Sequence, residues 1–207
     1  MDEKFLDDLR TAYDAKAVDR DVANPAPWKI QERSQFLAEL QREGKTRLLE
    51  LGSGPGRDGQ FFRDSGLSVV CTDLSAAMAE LCREKGLEAH VMDFLHLDFP
   101  AQSFDAVFAM TCLLHVPGAS LPAVLRSINR VLRPGGLFYM GVYGGHNAEG
   151  PMPDDDYQPK RFFAYYEDHQ IIKVLSAVFD LVYFRAVNLP KAGHPHFQSI
   201  ILRSRAV

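Results

Sequence analysis

The chain has 207 residues, of which 46% are hydrophobic and 24% charged, with a formal net charge of −4. That is long enough for one domain with a full core, and the composition is that of a globular protein rather than a disordered or collagen-like one. An acidic balance without a basic block argues against a nucleic-acid-binding surface, and three cysteines without CxxC spacing (Cys71, Cys82, Cys112) argue against a disulfide framework or a metal site.

Met1-Asp2-Glu3-Lys4 places acids where a signal peptide would carry a basic region and an apolar core. No apolar run approaches a membrane span, so the default expectation is a soluble, cytoplasmic protein. Phe5, Leu6, Leu9, Ala12, Tyr13 and Ala17 share a face at helical spacing within 3–18. Asn24-Pro25-Ala26-Pro27 then breaks the chain, and a second helix with Ile30, Phe36, Leu37 and Leu40 on its apolar face closes at Gly44. This helical pair reads either as a lid or as plain packing. Tyr13, Trp28 and Arg33 are its side chains with reach to a ligand, against the commoner use of each as core aromatic or solvated cation.

From Arg47 onward apolar runs alternate with helical patterns. Strands are predicted at 47–51, 68–72, 88–92, 105–110 and 136–142, and helices at 57–65, 75–85 and 120–132. Such alternation means βαβ units, an α/β fold and a mostly parallel sheet. Arg133-Pro134-Gly135-Gly136 stops the last of these helices. Residues 144–166, with Gly144-Gly145, Gly150-Pro151, Pro153 and Asp154-Asp155-Asp156, show no periodicity and read as a long loop of the kind that often carries function. A helix at 167–178 leads to runs at 179–188 and 196–203, whose short link makes them antiparallel neighbours. The expectation is a single domain over 1–207, with 1–44 as a helical lid and 144–166 as a substrate loop.

The informative stretch is Leu48-Leu49-Glu50-Leu51-Gly52-Ser53-Gly54-Pro55-Gly56-Arg57-Asp58-Gly59. An apolar strand runs into a glycine turn that opens a helix, and bare backbone there lets a ligand approach closely. Free N–H groups and the helix N-terminus favour an anionic group. Asp73, at the end of the second strand, suits the two hydroxyls of a ribose. Asp93-Phe94, at the end of the third, suits an adenine: the acid accepts from the amino group while the ring packs on its face. Three successive strand ends therefore offer an anion cradle, a ribose acceptor and a base pocket. Gly54-Pro55-Gly56-Arg57-Asp58-Gly59 also satisfies the dinucleotide pattern GxGxxG, so a NAD(P)-dependent oxidoreductase is an alternative. Against it, Gly52 already supplies the first glycine and Gly59 falls inside the helix.

Leu49-Glu50-Leu51-Gly52-Ser53-Gly54-Pro55-Gly56, with Asp73-Leu74-Ser75, Asp93-Phe94, Phe104-Asp105-Ala106-Val107 and Leu132-Arg133-Pro134-Gly135-Gly136, resembles the class I S-adenosylmethionine-dependent methyltransferases of small-molecule type. The resemblance spans about residues 45–143. It implies a Rossmann-like three-layer sandwich with a seven-stranded sheet of order 3-2-1-4-5-7-6 and strand 7 antiparallel. It also implies S-adenosylmethionine as cofactor and S-adenosylhomocysteine as product. Gly52, Ser53, Gly54 and Gly56 would border the methionine part, Asp73 would hold the ribose, and Leu74 would pack on the adenine. Asp93 and Phe94 would bind the adenine edge, Met110 and Thr111 would meet the amino-acid end through backbone, and Tyr13 would cap the cofactor from the lid.

Methyl transfer needs alignment and exclusion of water more than a catalytic side chain, although an oxygen acceptor gains from a base. His115 is the candidate base, set against the commoner use of a buried histidine as a packing or hydrogen-bonding residue. Trp28, Tyr143, His146 and Arg161 are the candidate substrate contacts, the last within the basic and aromatic run Lys160 to Tyr166. Asp154-Asp155-Asp156 reads as a solvated turn and His194-Pro195-His196 as a hairpin turn rather than as metal ligands. Neither a Pro-Cys dipeptide nor an Asn/Asp-Pro-Pro-aromatic motif ends the fourth strand. The expected partner is therefore a small molecule, with no nucleic acid, membrane or metal, and a monomer or weak homodimer. A module that binds the cofactor without turnover is the non-enzymatic alternative.

Overall fold

In the computed structural model, residues 1–189 and 196–205 are described. Three helices, α1 (Glu3–Asp14), α2 (Ala17–Val22) and α3 (Pro27–Arg42), precede the first strand. The alternating part then runs β1 (Arg47–Leu51), α4 (Arg57–Asp64), β2 (Ser68–Asp73), α5 (Ala76–Glu84), β3 (Glu88–Val91) and β4 (Phe104–Met110). A single 3₁₀ turn, Leu113–His115, leads to α6 (Leu121–Val131) and β5 (Leu132–Gly144). Then follow β6 (Ala148–Pro151), β7 (Phe162–Tyr165), α7 (Asp168–Ser176), β8 (Phe179–Asn188) and β9 (His196–Ser204).

The main sheet has seven strands in the order β3-β2-β1-β4-β5-β9-β8. Pairing is parallel from β3 to β5, and β9 lies antiparallel between β5 and β8. This is the expected sheet. The last two strands are eighth and ninth in the chain only because β6 and β7 pair antiparallel with each other, apart from it.

The period-2 pattern sends side chains alternately to two cores. Leu49, Leu51, Val107, Ala109, Phe138 and Met140 face α6 and α7, packing with Val124, Leu125, Ile128, Ile171 and Leu175. Leu48, Ala106, Phe108, Leu137 and Tyr139 face the other way, onto Phe36 and Leu40 of α3, Phe62 of α4 and Cys82 of α5. Phe108 and Tyr139 stack at 4.9 Å between centroids, with Phe36 against both, so α3 is part of the core and not only a cover. Its buried Glu32 ties it to the far side of the sheet, accepting from Ser199 Oγ of β9 and from the Arg185 guanidinium of β8.

Two expectations change. The 144–166 segment is not a structureless loop: four-residue strands at each end form the β6–β7 hairpin, too short to show a period, and Asp155 in its middle is buried rather than solvated. Residues 17–22 form a separate short helix after a break at Ala15-Lys16. Pro190 to Pro195, and so most of the His194-Pro195-His196 turn, lie outside the described residues.

Candidate active site

The C-terminal ends of β1, β2 and β4 converge under α1 and α2. At the end of β1 the chain turns sharply, with Gly52 at φ +59°. A Cβ on Gly52 would lie 2.4 Å from Cys112 Cβ, so only glycine lets the turn seat against the segment after β4. Cys112 Sγ in turn donates to the Leu51 carbonyl at 3.1 Å. Gly56, at φ +81°, caps α4 and packs over Cys82 and Leu87; it supports the turn from below and faces neither hollow described next.

Two hollows meet over this turn and share Arg20, Gly52, Gly54, Met110 and Thr111. The first is walled by Leu6, Leu9 and Tyr13 of α1 and by Asp73, Leu74, Asp93 and Phe94 of the strand ends. The second is walled by Trp28 and Lys29 of α3, Ser53, and Tyr143 of β5. Most of the expected site residues are thus brought together. His146 is not: it stacks on Tyr165 at 4.8 Å and lines a separate hollow on the hairpin. Nor is Arg161, which touches the first hollow only through the Tyr13 hydroxyl, to which its Nη1 donates at 3.2 Å.

Asp73 Oδ2 accepts from the Gly54 N–H at 2.8 Å and Oδ1 from the Ser75 N–H at 2.9 Å. One carboxylate thereby sets the glycine turn and the start of α5, while lone pairs stay directed at the hollow. Burial pushes its pKa up, and the backbone hydrogen bonds and Arg20 oppose that rise. Burial also acts on Asp93, but the His96 ring and the Leu95 and His96 N–H groups outweigh it and hold the Asp93 carboxyl below its usual range. Thr111 has φ +56°, an uncommon conformation for a β-branched residue, and strain of that kind clusters at functional sites. Its Oγ1 receives Lys29 Nζ at 3.4 Å.

His115 lies on the wall of the first hollow with both ring nitrogens engaged. The Phe162 carbonyl can only accept, so Nδ1, at 2.7 Å from it, carries the proton and donates. Nε2 is then an acceptor for the Tyr13 hydroxyl at 2.6 Å. Burial pulls the His115 pKa down to about 3, so the ring is neutral at physiological pH. In this arrangement its lone pair is taken by Tyr13, which leaves no free base facing an acceptor.

Around Tyr13 a latch is built that sequence spacing did not reveal. Asp155 is buried and binds Arg161 through Nη2 at 2.7 Å, Nε at 3.0 Å and the backbone N–H at 2.8 Å. The guanidinium lies 3.4 Å from the Tyr157 ring centroid. At the far end of α1, Asp14 accepts from Ser75 Oγ and from the Ala77 N–H, fixing the helix to the β2–α5 turn. Arg20, Lys29, Asp14 and Asp155 were not read from sequence as site residues. Arg20, Lys29 and Asp14 stand in no motif that would mark them, and Asp155 lies within the acidic run read as a solvated turn.

Comparison with known proteins agrees with this geometry. Residues 49–140 match the family described as "Methyltransferase domain". The malonyl-[acyl-carrier protein] O-methyltransferase of Yersinia pestis is 30% identical over 151 residues, covering 66% of this chain and 54% of its own. Sterol 24-C-methyltransferase erg6 of Aspergillus fumigatus is 49% identical over 125 residues, covering 55% of this chain and 32% of its own. The chain thus spans about half or less of the length of these curated relatives. Among solved structures, the 1,6-didemethyltoxoflavin-N1-methyltransferase of Burkholderia thailandensis superposes with a TM-score of 0.76 at 24% identity. That match covers 98% of this chain and 90% of the other, and establishes a shared fold. The matched domain and the order of the sheet mark residues 49–140 as a methyltransferase domain of the class I S-adenosylmethionine-dependent type.

Proposed function

We propose that this protein is a methyltransferase that uses S-adenosylmethionine to methylate a small molecule. The observation that carries the reading is the order of groups over the strand ends: a glycine turn at β1, Asp73 after β2, and Asp93-Phe94 after β3, all lining one hollow except for the turn's outer residues. In this reading Gly52, Ser53 and Gly54 border the amino-acid end, Asp73 accepts the ribose hydroxyls, and Leu74, Asp93 and Phe94 hold the base. Met110 and Thr111 flank the amino-acid end, and Gly56 maintains the turn. The cofactor supplies a methyl group on a sulfonium, which leaves as a neutral thioether.

What the chain adds is enclosure and alignment. Leu6, Leu9 and Tyr13 close the first hollow from above, and the hydrogen bonds of His115 and Arg161 to Tyr13 hold α1 in place. His115 is proposed to act on the reaction through Tyr13, whose hydroxyl it orients. Residues 1–44 serve as the lid and 144–166 as the segment that braces it, within a single domain. A cytoplasmic setting is supported by the three buried free thiols, and no helix among the described residues is long and apolar enough to cross a membrane.

Thermal shift with S-adenosylmethionine, S-adenosylhomocysteine, NAD and NADP tests the reading. A sulfur ligand at a hundred times its dissociation constant should add about 3 kcal/mol of stability, and the nicotinamide ligands none. The opposite pattern would remove the methyltransferase reading.

A further inference from the structure

The second hollow carries more positive charge than its own acids answer. Of its carboxylates, Asp58 is paired with Arg33 at 2.7 Å. Glu50 is buried beside Asp58 and Cys82, and the cost of desolvating it pushes its pKa well up. Of its cations, Arg57 donates to the Arg20 and Asp21 carbonyls and so ties α4 to α2. That leaves Arg20 and Lys29, and among the described residues neither has a carboxylate within ion-pair distance.

The two sit in different places. Arg20 overlies the glycine turn: a Cβ on Gly54 would lie 4.0 Å from its Nη2, and its buried Nε has no hydrogen-bond partner. It is therefore positioned for the carboxylate at the amino-acid end of the cofactor. Lys29 is farther out, its ammonium on Thr111 Oγ1 and 5.5 Å from the Trp28 ring centroid. Burial and the neighbouring Arg20 depress its pKa, so an added negative charge there relieves a standing cost. Beside it, Trp28 and Tyr143 meet edge to face at 6.4 Å and form an aromatic wall of the same hollow.

Resting on the methyltransferase reading above, we infer that the methyl acceptor is an aromatic carboxylate, its ring against Trp28 and Tyr143 and its carboxylate on Lys29. One uncommitted ammonium matches one negative charge. A phosphate would call for forked arginines or converging backbone N–H groups, whereas Arg57 is taken up by the Arg20 and Asp21 carbonyls and Arg20 overlies the glycine turn. A ring suits the wall that Trp28 and Tyr143 build beside Lys29.

Trp28 is the sole tryptophan of the chain, so its emission reports on this hollow directly. The test titrates 4-hydroxybenzoate, 3-hydroxybenzoate and nicotinate, each beside its uncharged primary amide, into protein saturated with S-adenosylhomocysteine. At least one acid should quench Trp28 with a dissociation constant tenfold or more below that of its amide. Lys29→Gln should bring acid and amide within about twofold of each other while leaving affinity for S-adenosylhomocysteine within twofold, and Lys29→Arg should keep the preference for the acid. The inference is overturned if no acid binds, or if acid and amide bind the wild type equally. It is also overturned if Lys29→Gln weakens S-adenosylhomocysteine as much as the acid, because the ammonium then belongs to the cofactor. Failure of the wild type to bind S-adenosylhomocysteine at all is a separate result, and strikes the methyltransferase reading itself.

Discussion

Gly52 and Gly54 have nearly the same backbone, φ +59° and +54°, but different surroundings. An added methyl meets Cys112 Cβ at 2.4 Å in the first case, and nothing nearer than Arg20 Nη2 at 4.0 Å in the second. Gly54→Ala should therefore cost only the left-handed strain, about 1–2 kcal/mol. Gly52→Ala adds overpacking, for a total on the order of 3 kcal/mol. Urea unfolding of the two variants separates these contributions, and equal losses would refute the close packing of the turn on Cys112. His115 gives a second check at this scale. Its pKa is about 3 in the folded protein and about 6.5 when unfolded. The unfolded chain therefore binds the extra proton between those values, and stability is full above about pH 6.5 and falls as pH drops toward 3. His115→Gln should flatten that part of the pH–stability curve relative to wild type, and an unchanged slope would contradict a buried neutral ring. The glycines and Asp73 were legible in the sequence because their backbone and strand-end positions demand those residue types. Arg20 and Lys29 were not, since an unpaired cation has the same local sequence context as a solvated one.

Among the elements, α1 is held over the strand ends by side chains far away in sequence. Its hold on the domain runs through Tyr13 to His115 and Arg161, and through Asp14 to Ser75. Tyr13→Phe removes the hydroxyl and leaves His115 Nε2 without a donor, a loss of roughly 1–3 kcal/mol. If that hydroxyl latches the lid, hydrogen exchange should quicken in 3–14 and stay unchanged in the central strands. Uniform quickening would instead mean a general loss of stability. The helix α3 differs, because it is anchored through the core. Glu32→Ala removes the acceptor that Ser199 and Arg185 share, and should lower the unfolding free energy by about 1–3 kcal/mol, read as a lower urea midpoint with an unchanged slope. Elements with strong periodicity, such as α6 and the central strands, were readable from pattern alone, whereas in α3 Ile30 of the expected apolar face is exposed and Glu32 is buried instead. The β6–β7 hairpin was not readable, because four residues interrupted by Gly150 and Pro151 show no alternation and the pairing depends on tertiary contacts.

At the scale of the whole molecule, the sheet divides the chain's labour. Its parallel half carries the turn and the strand-end acids, and its antiparallel half closes the fold with β9 between β5 and β8. Sequence order alone located the first half of the site, since each strand end follows its strand. The second hollow needed the fold, because it assembles Lys29, Ser53, Thr111 and Tyr143 from segments with no shared motif. One carboxylate joins the levels: Asp73 fixes the glycine turn through Gly54 and faces the hollow in which a ribose would lie. Calorimetric titration of S-adenosylhomocysteine into wild type and Asp73→Ala, with the melting temperature of each protein measured alone, tests that role directly. Wild type should bind one equivalent, and Asp73→Ala should bind at least about thirty-fold more weakly while still melting cooperatively, the lost hydrogen bonds to the Gly54 and Ser75 N–H groups costing it about 2–3 kcal/mol. Equal affinity in the two proteins would contradict the assignment of Asp73, and with it the placement of the cofactor across these strand ends.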